Sequence, residues 1–416
     1  MVDGAGHRAL VVGASISGLA AAALLRRSGW QVDVFERSDI ELRGRGAGLM
    51  THPELAEILR DSGADTTDLG VAIERRITLG GTGDIVGEWP MHQIVTSWDR
   101  LHGLFRPLIP DEAHHLGRML VAVDQDAEGV TAHFADGSSA RGDVLVAADG
   151  FRSAVRAQYA PDVQPIYAGY VIWRGVCEEA AIPPEGHRAL FGSLAFFLAP
   201  GSEILGYPIP GAGDDVRPGH RRYNWVWYHS ADDAWLADAL TDATGQAHPL
   251  SIAPPLVRDD LIAAIREEGE RILPPPFLAA LRAIPRPFFI PVYDFGSARI
   301  TFGRVALIGD AAFLARPHVG MGVTKGAVDA QALVRALASE PDISAALRRY
   351  EAERAPFGAL AVHRGRELGR FLSANSESHD AMELMRETAV SDLVQAYMQE
   401  RGAIPTEIAS DHRPAR

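Results

Sequence analysis

The amino-acid sequence predicts an α/β protein in which a Rossmann-like domain is interrupted by a second domain built on an antiparallel sheet and followed by a helical C-terminal segment. Three observations carry this. The stretch "HRALVVGASISGLAAAALLRRSGWQVDVFERS", His7 to Ser38, reads as strand, turn, helix and second strand, a βαβ unit. From about Tyr167 to Tyr293 the texture changes to alternating, aromatic-rich runs, "YVIWRGVCE", "LAFFLAP", "EILGYPIPG" and "RRYNWVWYHS", separated by Gly and Pro clusters, as antiparallel strands are. "GRVALIGDAA" then restores the buried-strand pattern and "KGAVDAQALVRALAS" the helical one, so the first domain resumes after the second.

Taken in order, "HRALVVGAS" is a buried parallel strand, "SGLAAAALLRRSG" a helix ended by Gly29, and "WQVDVFERS" the second strand. "VTAHFADGSSARGDVLVAADG" gives a hairpin turning at Asp136-Gly137, then a Val-, Leu- and Ala-rich strand that returns to the first sheet and runs into Asp149-Gly150. Residues after Asp342 read as helices, with a polar tail from about Pro405. The expected boundaries are 1–70, 100–166 and 294–345 for the first domain, 71–99 and 167–293 for the second, and 346–416 for the C-terminal segment.

Composition narrows the function. A chain of 416 residues, 47% hydrophobic and 23% charged, is that of a soluble globular protein longer than one ordinary core. A net charge of -14 argues against a nucleic-acid partner. One cysteine, Cys177, rules out an internal disulfide and fits a reducing compartment, so a cytoplasmic location is expected. The start "MVDGAGHRAL" lacks the layout of a signal peptide, and the longest apolar run, Leu19 to Leu25, is too short to span a bilayer, so no membrane partner is expected. The 15 histidines are scattered, His114 and His115 are adjacent rather than helix-spaced, and no H-E-x-x-H occurs, so no metal is expected either.

The first turn carries the chemistry. Gly13 makes the tight bend, Gly18 permits close helix-to-strand packing, and the helix that starts there offers unpaired N–H groups and a positive dipole end to a pyrophosphate. Ser15 stands where a dinucleotide fingerprint has its middle glycine; its hydroxyl can itself bond a phosphate, and Ser17 is grouped with it. Glu36 closes the second strand 18 positions after Gly18, where a carboxylate takes both hydroxyls of an adenosine ribose, and Arg37 follows it. Two other readings stay open: a plain strand-turn-helix, and a serine hydrolase in which "GASIS" approximates the nucleophile elbow with Ser15 as nucleophile, although Ser17 sits where that motif needs glycine.

Two further motifs, "VLVAADGFRSAVR" and "RVALIGDAAFLARPHVGMGVTKGAVDAQAL", join the fingerprint and "FER". Together they resemble the flavoprotein aromatic hydroxylases, single-component FAD-dependent monooxygenases related to p-hydroxybenzoate hydroxylase, over nearly the whole chain to about residue 370. Within that family "VVGASISGL", "YAGYVIWRGV", "YPIPG" and "DAAFLARPH" look most like members that act on hydroxypyridines. The resemblance implies that Asp310 bonds the ribityl chain of FAD, that Pro317 lines the flavin ring, and that the amides of Gly320, Gly322, Val323 and Thr324 face its N1–O2 edge. It also implies cofactor contacts for Asp149 in the D-G-x-x-S-x-x-R segment with Arg152, Ser153 and Arg156, for Arg100 and Leu120, and for Gly46 and Gly48 in "RGRGAGLM". An Asp–Arg brace at a strand end and a solvated helix arginine are the plainer readings of Asp149 and Arg100. Arg43 and Arg45 are either solvated or receive phosphates of the nicotinamide cofactor.

On this resemblance, NADPH or NADH reduces FAD, oxygen adds as a C4a-hydroperoxide, and its distal oxygen passes to a small hydroxylated aromatic ring, hydroxypyridine-like rings being favoured. The protein must exclude water, hold the ring close and help a substrate hydroxyl ionise. Tyr223, Trp225 and Trp227 share one strand face near Tyr207 and Trp173, and the substrate wall is expected from Tyr207, Trp225, Trp227 and Trp173, with Met321. A packed sheet face without ligand is the alternative. His318, directly after Pro317, is the first candidate for accepting or orienting a substrate proton and His52 the second; Asp294 reads as structural. "WVWYHS" puts His229 and Ser230 where flavin halogenases have Ile-Pro, so halogenation is not expected. Relatives are commonly dimers, which implies a homodimer; a flavin dehydrogenase or flavin-binding protein without oxygen insertion is the remaining rival.

Overall fold

The computed structural model describes residues 6–42 and 47–372. Arg43, Arg45 and Gly46, and the expected polar tail, lie outside the described residues. The chain opens with β1 (Arg8–Val12), α1 (Ile16–Arg27) and β2 (Gln31–Phe35). There follow β3 (Gly48–Met50), α2 (Pro53–Ser62), β4 (Val71–Leu79), β5 (Ile85–Ser97), α3 (Trp98–Phe105) and β6 (His114–His115). Three antiparallel strands, β7 (Leu120–Gln125), β8 (Val130–Phe134) and β9 (Ser139–Gly142), lead into β10 (Val144–Ala147) and α4 (Ala154–Tyr159).

One sheet runs β1, β2, β6 to one side and β1, β10 to the other, and it is completed by β16 (Thr301–Phe302) and β17 (Val305–Leu307) in the order β16-β17-β10-β1-β2-β6. Its central strands pair in parallel, Leu10 opposite both Asp33 and Leu145. All four residues of β10 are buried, as a central parallel strand covered on both faces requires. α1 packs there with α9 (Gly322–Ser339), on which α10 (Ile343–Leu368) lies.

The second sheet has the order β15-β11-β14-β13-β12-β4-β5-β3. It is built from β11 (Ile166–Glu178), β12 (Ser193–Ala199), β13 (Ser202–Ile209), β14 (Arg222–Ser230) and β15 (Phe288–Asp294), which pair with one another antiparallel. β4 joins parallel to β12, and the short β3, expected among first-domain residues, pairs with β5 at this sheet's edge. Between the strands lie α5 (Pro184–Leu190), α6 (Asp233–Ala239), α7 (Asp259–Ile272) and α8 (Pro275–Ala283).

Because side chains alternate along a strand, this sheet has two unlike faces. One face puts Tyr170, Ile172, Leu194, Phe196, Leu205, Tyr207, Val226 and Tyr228 into the core shared with the first sheet. The other puts Val171, Trp173, Ile204, Tyr223, Trp225 and Trp227 into a separate core with Leu261, Ile265, Phe277 and Leu281 from α7 and α8. The expected aromatic substrate wall is therefore corrected. Trp173, Trp225 and Trp227 are each 2% exposed or less and pack under the helices, whereas Tyr207 belongs to the opposite face. Register gives the reason: Tyr207 lies across from Asn224, one residue out of phase with Trp225.

Candidate functional site

The carboxyl ends of the parallel strands converge on the first turn, the place where open α/β sheets bind ligands. Gly13 bends there at φ +104°, and a Cβ on it would lie 2.3 Å from the carbonyl oxygen of Ala148 on the neighbouring strand end. A Cβ on Gly18 would lie 1.9 Å from the Gly13 carbonyl oxygen. Both glycines are thus required by chain packing, which brings the N-terminus of α1 over the strand ends. The Glu36 carboxylate, 7% exposed, accepts from the Ala14 amide at 3.0 Å and the Ser38 amide at 3.0 Å, so it borders the same turn. Ser15 opens α1 with its hydroxyl outside the cap, and no base is hydrogen-bonded to it among the described residues. A nucleophile-base pair, needed for the hydrolase reading, is not assembled.

Ser17 faces elsewhere. A Cβ added to Gly326 would sit 2.0 Å from its Oγ, so this serine fills a notch between α1 and α9 rather than the turn. Arg37 is exposed and close enough to Arg152 that, after burial, it is the second influence holding that guanidinium below its ordinary pKa. Arg152 donates to the Pro249 carbonyl at 2.9 Å and to Ser251. Asp149 accepts from the amide of Ala154 at 2.8 Å, and its buried Oδ1 has no partner. Burial raises its pKa. Ser153 caps α4, and Arg156 donates to the carbonyls of Ala311 at 3.2 Å and of Phe151, a brace between two loops. Arg100 reaches the Thr67 carbonyl at 2.7 Å and Asp214 at 3.4 Å, and Leu120 is buried at the start of β7.

After β17 the chain makes a single 3-10 turn, Gly309–Ala311, pinned by the Gly309 amide donating to Asp329 at 3.0 Å, itself paired with Arg354 at 2.7 Å. Asp310 leaves this turn with its side chain 42% exposed while Lys325, 1% exposed, pairs with it from behind at 2.6 Å. A second 3-10 turn, Pro317–Val319, ends at Gly320, and α9 begins at Gly322, where an added Cβ would meet nothing within 4 Å. The first turn of α9, with Val323 and Thr324, has amides that the helix itself leaves without acceptors, beside the buried Met321. His52, 5% exposed, opens α2 and bonds Thr324 Oγ1 through Nδ1 at 2.9 Å.

His318 is enclosed instead. It is 0% exposed, with Nε2 3.1 Å from the Tyr170 hydroxyl, Nδ1 3.2 Å from a Glu203 oxygen, and its ring stacked on Tyr228 at 4.3 Å between centroids. Phe371 meets its edge. The expected open base is a closed one, held among side chains of β11, β13 and β14. Asp294 pairs with Arg316 and Arg366, each at 2.7 Å, a structural bridge. Glu203, Lys325, Arg174 and Asn224 were not singled out from sequence. A glutamate inside an apolar strand, as in "EILGYPIPG", was the available signal for the first.

Two helix N-termini, a bordering glutamate and a projecting aspartate backed by a buried lysine make this a nucleotide-binding α/β protein with the donors and acceptors that FAD requires. Family models agree: an FAD binding domain over residues 290–365, an FAD binding domain-like region over 167–294 and an NAD(P)-binding Rossmann-like domain over 11–48. The chain belongs to the FAD-dependent aromatic hydroxylase family of monooxygenases. It is 33% identical to 2,6-dihydroxypyridine 3-monooxygenase of Paenarthrobacter nicotinovorans over 83% of this chain and 86% of that protein. The solved 2,6-dihydroxypyridine-3-hydroxylase from Arthrobacter nicotinovorans superposes with a TM-score of 0.85 at 30% identity, covering 91% of this chain and 96% of that one. A variant of Klebsiella pneumoniae HpxO, solved with FAD, gives a TM-score of 0.72 at 25% identity over 94% and 98% of the two chains. Among the described residues no helix is long and apolar enough to cross a membrane.

Proposed function

We propose that this chain hydroxylates a small hydroxylated aromatic ring of the hydroxypyridine type, using O2 and taking its electrons from NADH or NADPH. The observation that supports this ring class is the 33% identity to a dihydroxypyridine monooxygenase across 83% of the chain. FAD, when bound, supplies the redox and oxygen-activating chemistry. The amides opening α1 and the Ser15 hydroxyl would take its diphosphate, Glu36 its adenosine ribose, Asp310 its ribityl hydroxyls and the first turn of α9 its pyrimidine edge. Lys325, paired with Asp310 at 2.6 Å, fixes where that carboxylate points. His52 holds Thr324, and through it the start of α9, to α2. The inner face of the second sheet, with Tyr207, Leu205 and Val226, is the floor on which the ring would lie, sheltered from water because these side chains are buried. A homodimer in the cytoplasm is part of the proposal, and Cys177, whose thiol burial pushes up to about 12, is suited to reducing surroundings as an inert core residue.

The test is direct. Purified protein should carry FAD, and 2,6-dihydroxypyridine should stimulate NAD(P)H oxidation with oxygen uptake matched by hydroxylated product. Oxidation without hydroxylated product from any hydroxypyridine or hydroxybenzoate would overturn the proposal in favour of a flavin dehydrogenase.

A further inference from the structure

The inner face of the second sheet holds a cation that no carboxylate among the described residues pairs with. Arg174, on β11, donates through Nη2 to the Gly48 carbonyl at 3.2 Å, and its Nε is buried without an acceptor. The charged or titratable groups acting on it are two tyrosines, Tyr207 and Tyr228, and no carboxylate is among them. Asn224, 0% exposed, accepts the Gly48 amide on Oδ1 at 2.8 Å and leaves its buried Nδ2 without a partner. Tyr207 stands opposite Asn224 in register, and its Cε2 would be 2.8 Å from a Cβ on Gly48. Arg174 and Asn224 thus each grip the Gly48 peptide with one end and have a donor to spare at the other.

Such an arrangement is costly as it stands. A buried donor with no acceptor loses the hydrogen bonds water gave it, and a partly buried guanidinium without a counter-charge loses more. Native proteins keep such groups where a ligand completes them. The missing partner is an acceptor, because a guanidinium and an amide NH2 can only donate, and Arg174 calls for one that is negatively charged. Val226 lies opposite Arg174 and Leu205 opposite Val226, so an apolar floor adjoins the donors. That combination fits the edge of a flat ring bearing a charged oxygen.

We propose that Arg174 and Asn224 form an oxyanion subsite that selects ring substrates carrying a negatively charged oxygen. The inference rests on the ring-hydroxylase reading above. The oxygen is either a ring olate, whose proton has gone to bulk water, or a ring carboxylate; Arg174 attracts both by the same charge-assisted hydrogen bonds. No tyrosine supplies the anion instead: burial pushes Tyr207 up to about 12 and Tyr228 further, and the buried carboxylate on the same face, Glu203, stands 3.2 Å from His318 Nδ1 and is not among the groups acting on Arg174.

The FAD-loaded protein, kept free of oxygen and reductant, is titrated with nicotinate, its neutral isostere nicotinamide, and 2,6-dihydroxypyridine, and binding is read from the flavin absorbance. Wild type should hold an anionic ring at least tenfold tighter than nicotinamide, and the tighter of nicotinate and 2,6-dihydroxypyridine identifies the oxygen's source. R174Q should erase that preference with FAD content unchanged. N224D keeps the oxygen that holds Gly48 while placing an acceptor at the other end, so it should weaken anions and spare nicotinamide; should R174Q fail to fold, this variant carries the test. In wild type the bound dihydroxypyridine should ionise about 1–3 pH units below its value in water, seen in its own spectrum, and in R174Q at the water value. Equal affinity for charged and neutral rings in wild type, or an anion preference that survives R174Q and N224D, overturns the subsite. If none of the three rings perturbs the wild-type flavin, the ring class itself is wrong and the subsite falls with it.

Discussion

Asp310 projects from its turn with a buried lysine behind it, and the two charges have different tasks. Lys325, 1% exposed, has given up water, so Asp310 is its compensation within the chain as well as the group proposed to meet the cofactor. Asp310→Ala should therefore lower FAD affinity at least tenfold, since a hydrogen bond to a charged group contributes about 1.5–3 kcal/mol, and lower the thermal midpoint even without FAD. Flavin content per chain and melting of the FAD-free protein measure the two effects separately. A variant that melts lower yet keeps its flavin would confine Asp310 to the ion pair. Asp310 was legible in sequence through "IGDAA"; Lys325, fifteen residues on, was not, because only folding brings the start of α9 behind the turn.

At the level of elements, two contacts decide the geometry. α1 and α9 approach through the glycines and Ser17, with no room for a methyl group: at Gly326 an added Cβ would lie 2.0 Å from Ser17 Oγ and 3.4 Å from Gly309 Cα. Gly326→Ala should cost about 1–3 kcal/mol of stability by overpacking, and Ser17→Gly in the same chain should restore most of it. If Ser17→Gly alone instead abolished FAD binding, the serine would belong to the phosphate site after all. The second contact is the sheet between its two cores. Trp227→Ala should cost about 3–5 kcal/mol in denaturant unfolding while the surviving folded protein binds ring ligands as before, because Trp227 faces α7 and α8. Tyr207→Phe, on the opposite face, should do the reverse: little change in stability and weaker ring binding.

For the molecule as a whole, acid is the sharpest probe. Glu179, 2% exposed, holds the end of β11 to the loop before β14 through Arg221 at 2.7 Å and to α5 through His187 at 2.6 Å. Burial alone would raise its pKa, but the Arg221 and His187 hydrogen bonds outweigh it and hold the carboxyl at about 2, against an ordinary 4.5. A depressed carboxyl stabilises the fold above the unfolded pKa, and that contribution is lost as pH falls from about 4.5 to about 2; the shift corresponds to about 3 kcal/mol. The stability gap between wild type and Glu179→Gln in urea should narrow over that window and close near pH 2, while a constant gap would show that the carboxylate charge is irrelevant there.

What the sequence determined unaided is what neighbours along the chain decide. The βαβ opening, the turn at Gly13, the glutamate at the end of β2 and the return of the first sheet at Val305 depend on residues within a few positions of one another, and they could be read directly. Only the tertiary structure decided which side of β14 faces the first sheet, because both sides are buried and a two-residue period looks the same shifted by one. It also decided that His318 is enclosed and that Gly48 meets Arg174 and Asn224, since His318 is more than a hundred residues from Tyr170, and Gly48 more than a hundred from both its partners, all brought together by strand register and by the burial of two separate cores.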